Sequence, residues 1–320
     1  MRKKLVLLLI LLPLSYQTAS AQLVTESFGT GGNAFTMDFV TIGNPGNAAD
    51  ITGSPNSAGS VAYTYNLGKY EVSRDQIDKA NSSGSLGITI FDMTSYGGNN
   101  GLLKPATGIS WYEAAKYVNW LNTSSGGTAA YKFDGSGTFQ LWSSTDAGYN
   151  ANNMFRNTLA KYVIPSSNEW YKGAYGKADG SWSNFPNGTD SAPTAVADGT
   201  AANTAVYLQT KINGPADITN AGGLSSYGTM AQGGNAWEVM ETAADGINDA
   251  AGEQRVIRGA GWDSPDSQDL DASHYNTLDP TGAGYLRGFR VAFVGVPEPS
   301  ALSLLAIGLS GLAMIRRRKK

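Results

Sequence analysis

Ser273, His274 and Tyr275 stand in a row, with Asp269, Asp271 and Asp279 close by in the sequence. A hydroxyl becomes a nucleophile when an imidazole takes its proton and a carboxylate orients that imidazole. Hydroxyl- or carboxylate-based chemistry here therefore requires Ser273, His274 and one of those aspartates to converge in space. His274 is the only histidine of the chain, a residue type that can change charge near neutral pH. One imidazole cannot build a multi-histidine metal centre, and the chain has no cysteine, which excludes disulfides, thiolate metal sites and cysteine nucleophiles. Asp263, Asp266, Asp269 and Asp271 form an acidic loop, read as a solvated face or as a cation-binding one.

The elements that must hold these residues are sparse. In 320 residues there are 40 glycines, which implies long, turn-rich connections. Three helix starts carry one signature: Ser73 with Gln76, Ser110 with Glu113, and Ser166 with Glu169. Each is a capping box, in which the hydroxyl accepts an orphan backbone N–H and the Gln or Glu reaches back to the cap. Trp111, Ala114, Ala115, Val118 and Leu121 then recur at helical spacing, predicting an amphipathic helix to Asn122. Shorter helices are expected over 73–80 and 166–175. Phe35–Ile42, Val61–Leu67, Gln254–Arg258 and Arg290–Val294 read as strands, and 173–205 as one long loop, unusual in a compact domain unless it binds something. Trp111, Trp120, Trp170, Trp237 and Trp262 are expected in the core, with Arg258 and Arg290 forked onto buried carbonyls or carboxylates.

The two ends read as addresses. Arg2, Lys3 and Lys4, an apolar run from Leu5, and Ala19-Ser20-Ala21 form a secretory signal peptide. At the other end come Pro297-Glu298-Pro299, the uncharged stretch Ala301 to Ile315, and Arg316 to Lys320. That stretch would reach ~22 Å as a helix, and a short transmembrane helix is expected there. The three-part pattern resembles the PEP-CTERM sorting signal. The resemblance implies a Gram-negative bacterium, processing by an exosortase-type enzyme, and a product released or attached at the cell surface, with the precursor held in the inner membrane. Three of the 23 Lys and Arg lie at the extreme N-terminus and five at the extreme C-terminus; the rest of the chain holds 15, against 25 acidic residues once Glu298 is set aside. That balance speaks against a nucleic-acid partner, because counterion release needs clustered cations.

Five blocks, in order, resemble the sulfatase-modifying factor family, whose active members are formylglycine-generating enzymes. They are Gly68-Lys69-Tyr70-Glu71-Val72-Ser73; Pro105 to Ala115 with Asn119-Trp120-Leu121; Ile164 to Ala174; Gly234-Asn235-Ala236-Trp237-Glu238; and Arg255 to Trp262, closed by Gly288-Phe289-Arg290-Val291. The resemblance implies an α+β fold, a formylglycine-generating-enzyme-like variant of the C-type lectin-like fold, low in regular secondary structure and long in its loops. The expected organisation is a signal peptide (1–21), an N-terminal extension with a strand (22–60), the sulfatase-modifying-factor-like domain (61–295) and the sorting signal (296–320).

Active members of that family hold copper through two cysteines before the final Gly-Phe-Arg. The corresponding stretch here, 269–277, has Ser273, His274 and Tyr275 instead, and Cu(I) selects soft sulfur ligands. Relatives with non-haem iron need several histidines. Copper-dependent oxidase activity is therefore not expected, nor is a copper, iron or zinc centre. The family also binds structural calcium, which by position implies Gly234, Ala236 and Glu238 as ligands, with Asn203 in a second site; a further ligand position is Ala231, which has no side-chain oxygen. The leading expectation is an exported, non-catalytic binding module for an exopolysaccharide or a surface protein, meeting it through a groove lined by Ser273, His274 and Tyr275. The alternatives are an enzyme of non-cysteine chemistry and a structural surface-layer component.

Overall fold

Each of the three capping boxes starts a helix in the computed structural model, which describes residues 22–55 and 57–293. The described elements are β1 (Leu23–Phe28), β2 (Phe35–Ile42), β3 (Tyr65–Gly68), α1 (Arg74–Gly84), α2 (Trp111–Thr123), β4 (Lys132–Phe133), β5 (Phe139–Gln140), β6 (Tyr162–Val163), α3 (Ser167–Tyr175), β7 (Thr194–Ala195), β8 (Thr204–Ala205), β9 (Trp237–Ala243), β10 (Arg255–Arg258), β11 (Asn276–Leu278), β12 (Arg287–Gly288) and β13 (Ala292–Phe293), with three short 3-10 turns. This is a mixed α+β architecture of modest regular content.

Two sheets organise it. The first has the order β1-β2-β3-β13-β6 and is antiparallel throughout. The alternation of Phe35, Met37 and Phe39 buries one face of β2, leaving Thr36 and Asp38 outward. β2 pairs directly with β3, so the segment before residue 61 supplies two strands of this sheet. The second sheet, β11-β10-β9-β12, pairs β9 with β12 in parallel and its other neighbours antiparallel. α2 packs its apolar stripe into the main core, where Trp111 stands edge-on to Tyr131 and Phe139. Trp111, Trp170 and Trp262 are fully buried, Trp120 nearly so, and Trp237 half-buried.

The stretch 173–205 is less open than its composition predicts. α3 runs on to Tyr175, Gly176 bridges Trp182, and β7 pairs with β8. The signal peptide and the sorting residues Pro297, Glu298 and Pro299 lie outside the described residues. The expectation of a transmembrane helix is corrected: among the described residues no helix is long and apolar enough to cross a membrane. The segment 301–315 on which it rested also lies outside them, and its ~22 Å reach falls short of a ~30 Å hydrocarbon core.

Candidate functional site

The turn 269–277 connects a 3-10 turn at Gln268–Leu270 to β11. Ser273 and the His274 N–H bond within the turn. The Ser273 hydroxyl donates to Asp271 Oδ1 at 2.6 Å, the Ser273 N–H donates to the same oxygen at 2.7 Å, and the His274 N–H donates to the Asp271 carbonyl at 2.9 Å. The His274 Nε2 lies 3.6 Å from Asp269 Oδ1, too far for a hydrogen bond. The imidazole ring stands 5.7 Å from the Trp237 ring. Asp279 is held by Thr281. Ser273, His274 and an aspartate are thus neighbours, but the hydroxyl is committed to a carboxylate and no Ser–His hydrogen bond exists.

The acidic loop resolves into separate turn contacts. Asp266 accepts from the Gln268 N–H at 2.8 Å, and Asp263 accepts from the Tyr285 hydroxyl at 2.7 Å. Among the described residues no group of three His, Cys, Asp or Glu side chains is placed to hold a metal ion.

Behind the turn stands Arg258, whose side chain has no solvent exposure. Its Nη1 donates to the His274 carbonyl at 2.8 Å, and its guanidinium lies over the rings of Tyr171 and Tyr275 at 5.1 and 5.7 Å. Burial holds its pKa below the usual guanidinium value. Arg258 thereby fixes the backbone on which His274 and Tyr275 sit.

The Gly234–Glu238 block lies in the interior. Gly234 has φ +88°, and a Cβ there would sit 2.3 Å from the Val206 carbonyl oxygen, so only glycine fits. Asn235 donates to Glu71 and accepts from the Ala216 N–H, while the Ala236 N–H reaches the other Glu71 oxygen. Burial, and after it the charge of Glu238, pushes the Glu71 carboxyl well above its ordinary range. Both oxygens of Glu238 are engaged: Oε2 accepts from Arg290 Nε at 2.6 Å and from the Trp170 indole at 2.7 Å, and Oε1 accepts from Arg290 Nη2. Neither Glu238 nor Arg290 has any side-chain exposure. Arg290 also donates to the carbonyls of Gly68 and Met230. A calcium ion at Glu238 would compete with the Arg290 guanidinium for the carboxylate. Ala231, at φ +60°, lines a nearby void of about 10 Å³, room for about one water. Asn203 sits apart, exposed, in a left-handed turn.

A second ionic cluster has no local sequence motif. Arg156 donates to both oxygens of Glu169, at 3.0 and 2.9 Å, and to Glu241 at 2.8 Å. Tyr63 and Tyr131 donate to Glu169 and Glu241 respectively. Glu169 also closes the α3 capping box. Arg255 is buried, donates to the carbonyls of Glu253 and Ala251, and lies over Trp111 and Phe155 at 4.4 and 4.1 Å; among the described residues it has no ion pair.

A family profile for the sulfatase-modifying factor enzyme 1-like domain matches residues 30–294, and one for the PEP-CTERM protein-sorting motif matches 295–319. No curated protein matches the sequence. Solved structures similar to the chain include Treponema denticola variable protein 1 (TM-score 0.56, 17% identity, covering 84% of this chain and 99% of that one). CarF gives TM-score 0.56 at 17% identity over 80% and 98% of the two chains. PvdO from Pseudomonas aeruginosa gives 0.52 at 17% identity over 84% and 97%. At such identity the likeness shows the fold. The profile match spans most of the sequence, and the copper–cysteine chemistry of formylglycine generation has no thiol here to run on. The chain belongs to the sulfatase-modifying factor family, as a cysteine-free member carrying a C-terminal PEP-CTERM motif.

Proposed function

We propose that the mature protein is an exported, non-catalytic binding module, surface- or matrix-associated, on a formylglycine-generating-enzyme-like variant of the C-type lectin-like fold. An exosortase-type enzyme processes it at the Pro297-Glu298-Pro299 motif, and an exopolysaccharide or a surface protein is its ligand. The observation that carries this reading is the turn 269–277. Its hydroxyl donates to Asp271, its imidazole has no hydroxyl to activate, and Arg258 holds its backbone in place. Such a turn is a preorganised surface without a nucleophile–base pair.

Capture from matrix extracts by the purified protein tests the reading. Retention of a polysaccharide or protein that is lost in a Ser273→Ala, His274→Ala, Tyr275→Ala variant supports it. Absence of any retained matrix component refutes it. Intact-mass measurement of the protein from its host tests the processing: a mass lacking residues 1–21 and the basic tail 316–320 is expected, and a tail retained in the surface fraction refutes the sorting step.

A further inference from the structure

A cleft of about 360 Å³ opens between β2, the start of α1 and the loops at 102–104 and 217–219. It falls in the ~300–1,000 Å³ range of small-ligand sites, and none of Ser273, His274 and Tyr275 lines it. Its walls are tied together. The α1 capping box bonds Gln76 to the Ser73 N–H, and the Gln76 amide donates across to the Thr36 carbonyl at 3.1 Å. The Asp75 N–H donates to the Leu102 carbonyl, and the Ile218 N–H to the Leu103 carbonyl. Lys104 and Asp217 form an ion pair at 3.1 Å. A site built this way pays little ordering entropy when it binds.

The polar groups facing the cleft are only partly spent. Asp38 Oδ1 accepts from Thr25 and Asp75 Oδ2 from Lys79, both at 2.7 Å. The second oxygen of each aspartate has no hydrogen-bond partner among the described residues, and the hydroxyls of Thr36, Tyr70 and Thr219 make no hydrogen bond there either. Phe35 and Met37, on the buried face of β2, reach the cleft with little of their surface, and Leu103 and Ile218 add apolar lining. Glu71 also lines the cleft, but its oxygens are already held by Asn235 and Ala236.

This chemistry selects among ligands. An anion meets Asp38 and Asp75 with one ammonium, Lys79, that is already paired. A metal ion lacks a third ligating side chain. A wholly apolar ligand would strand the free oxygens and hydroxyls. A pyranose matches both surfaces: its ring C–H face lies on apolar side chains, and its vicinal hydroxyls each donate to a carboxylate and accept from an ammonium or hydroxyl.

We propose that this cleft is a binding site for an uncharged pyranose unit of a glycan, with Asp38, Asp75 and Lys79 taking its hydroxyls and Tyr70, Leu103 and Ile218 its ring face. This deepens the binding-module reading by naming a ligand class, and it places that ligand away from the 269–277 turn.

The test is calorimetric titration of the purified full-length protein with cellobiose, N,N′-diacetylchitobiose and glucuronate. Saturable binding of a neutral disaccharide, with none of glucuronate, is expected. Asp38→Asn should weaken it about tenfold, the loss of one charge-assisted hydrogen bond. Thr219→Trp, at an exposed position that tolerates bulk, should block the cleft with Tm unchanged. No saturable binding of either neutral sugar overturns the proposal, as does glucuronate binding more tightly than both, or binding that survives both variants. Matrix capture that persists in Thr219→Trp while neutral sugars fail to bind also overturns it, and leaves the binding-module reading standing.

Discussion

Changing Glu238 to Gln would keep the shape of the side chain and remove its charge. Arg290 would then be a buried guanidinium with carbonyl partners at Gly68 and Met230 but no counter-ion. Gln has one acceptor oxygen where Glu238 now accepts from Arg290 Nε, Arg290 Nη2 and the Trp170 indole. At least one of those donors must face an NH2 group. Removing one partner from a buried pair costs about 3–5 kcal/mol. For a chain of this size each kcal/mol lowers Tm by about 2–4 °C, so the loss is about 6–20 °C. Differential scanning calorimetry with and without excess calcium reads it. The Glu238→Gln, Arg290→Met double variant should lose less than the two single changes together, because the stranded charge is gone. A Tm loss below about 2 °C would refute the argument that this ion pair is a structural pillar. So would a calcium-dependent rise in the parent that vanishes in Glu238→Gln, since the carboxylate would then be serving a metal.

Arg156→Met strands two buried carboxylates, Glu169 and Glu241, and should also cost about 3–5 kcal/mol by urea unfolding. Burial pushes the Glu169 carboxyl up, but the Arg156 charge and hydrogen bonds outweigh it and hold the pKa below the ordinary value. A carboxyl whose folded pKa is depressed contributes stability above its unfolded pKa of 4.5 and loses it as pH falls through the folded value. The acid limb of a Tm–pH curve should therefore flatten in Arg156→Met. Lys172 is buried against the Asn44 carbonyl, and burial lowers its pKa from 10.5 to about 8. Between those values the unfolded chain binds more protons, so stability should rise with pH across that window. A Lys172→Met variant lacks the rise, and an unchanged slope would contradict the assignment. Gly234→Ala forces a Cβ to 2.3 Å from the Val206 oxygen at φ +88°; a loss of about 3 kcal/mol or more is expected in thermal unfolding.

What could be read ahead of the structure was local. Each capping box is complete within four residues, and each opens a helix where Ser73, Ser110 and Ser166 place it. The alternation in Phe35–Ile42 likewise yields the longest strand of the first sheet. Val163 and Ala292 are another case. Ala292 falls within a stretch that reads as a strand, but its partners do not show locally: β13 lies between β3 and β6, a pairing between segments over a hundred residues apart that no window of sequence contains. Arg290 was legible as a fork, but its carboxylate was not. Arg156 had no signal at all: its two acids follow it by 13 and 85 residues, on α3 and β9.

The non-convergence at the candidate site has the same origin. Ser273 and His274 are adjacent in sequence, yet the Asp271 carboxylate, two residues back, captures both the hydroxyl and the N–H of Ser273 in one tight turn. That short-range competition for the serine proton is the kind that Asp and Ser side chains win in turns. The polar groups that hold the molecule together are elsewhere: Arg290 with Glu238, Arg156 with Glu169 and Glu241, and Glu71 with Asn235, all with little or no solvent exposure. The turn contributes to none of these pairs; backbone groups tie it to the interior, the His274 carbonyl to Arg258, the Leu270 carbonyl to the Tyr175 hydroxyl and the Ala272 N–H to the Asn184 carbonyl, while the Tyr275 ring lies under Arg258. A scaffold supported this way leaves the chemistry of positions 273 and 274 freer to vary than that of Tyr275, which packs under Arg258. The same separation lets a cysteine-free chain keep the family fold without its thiols.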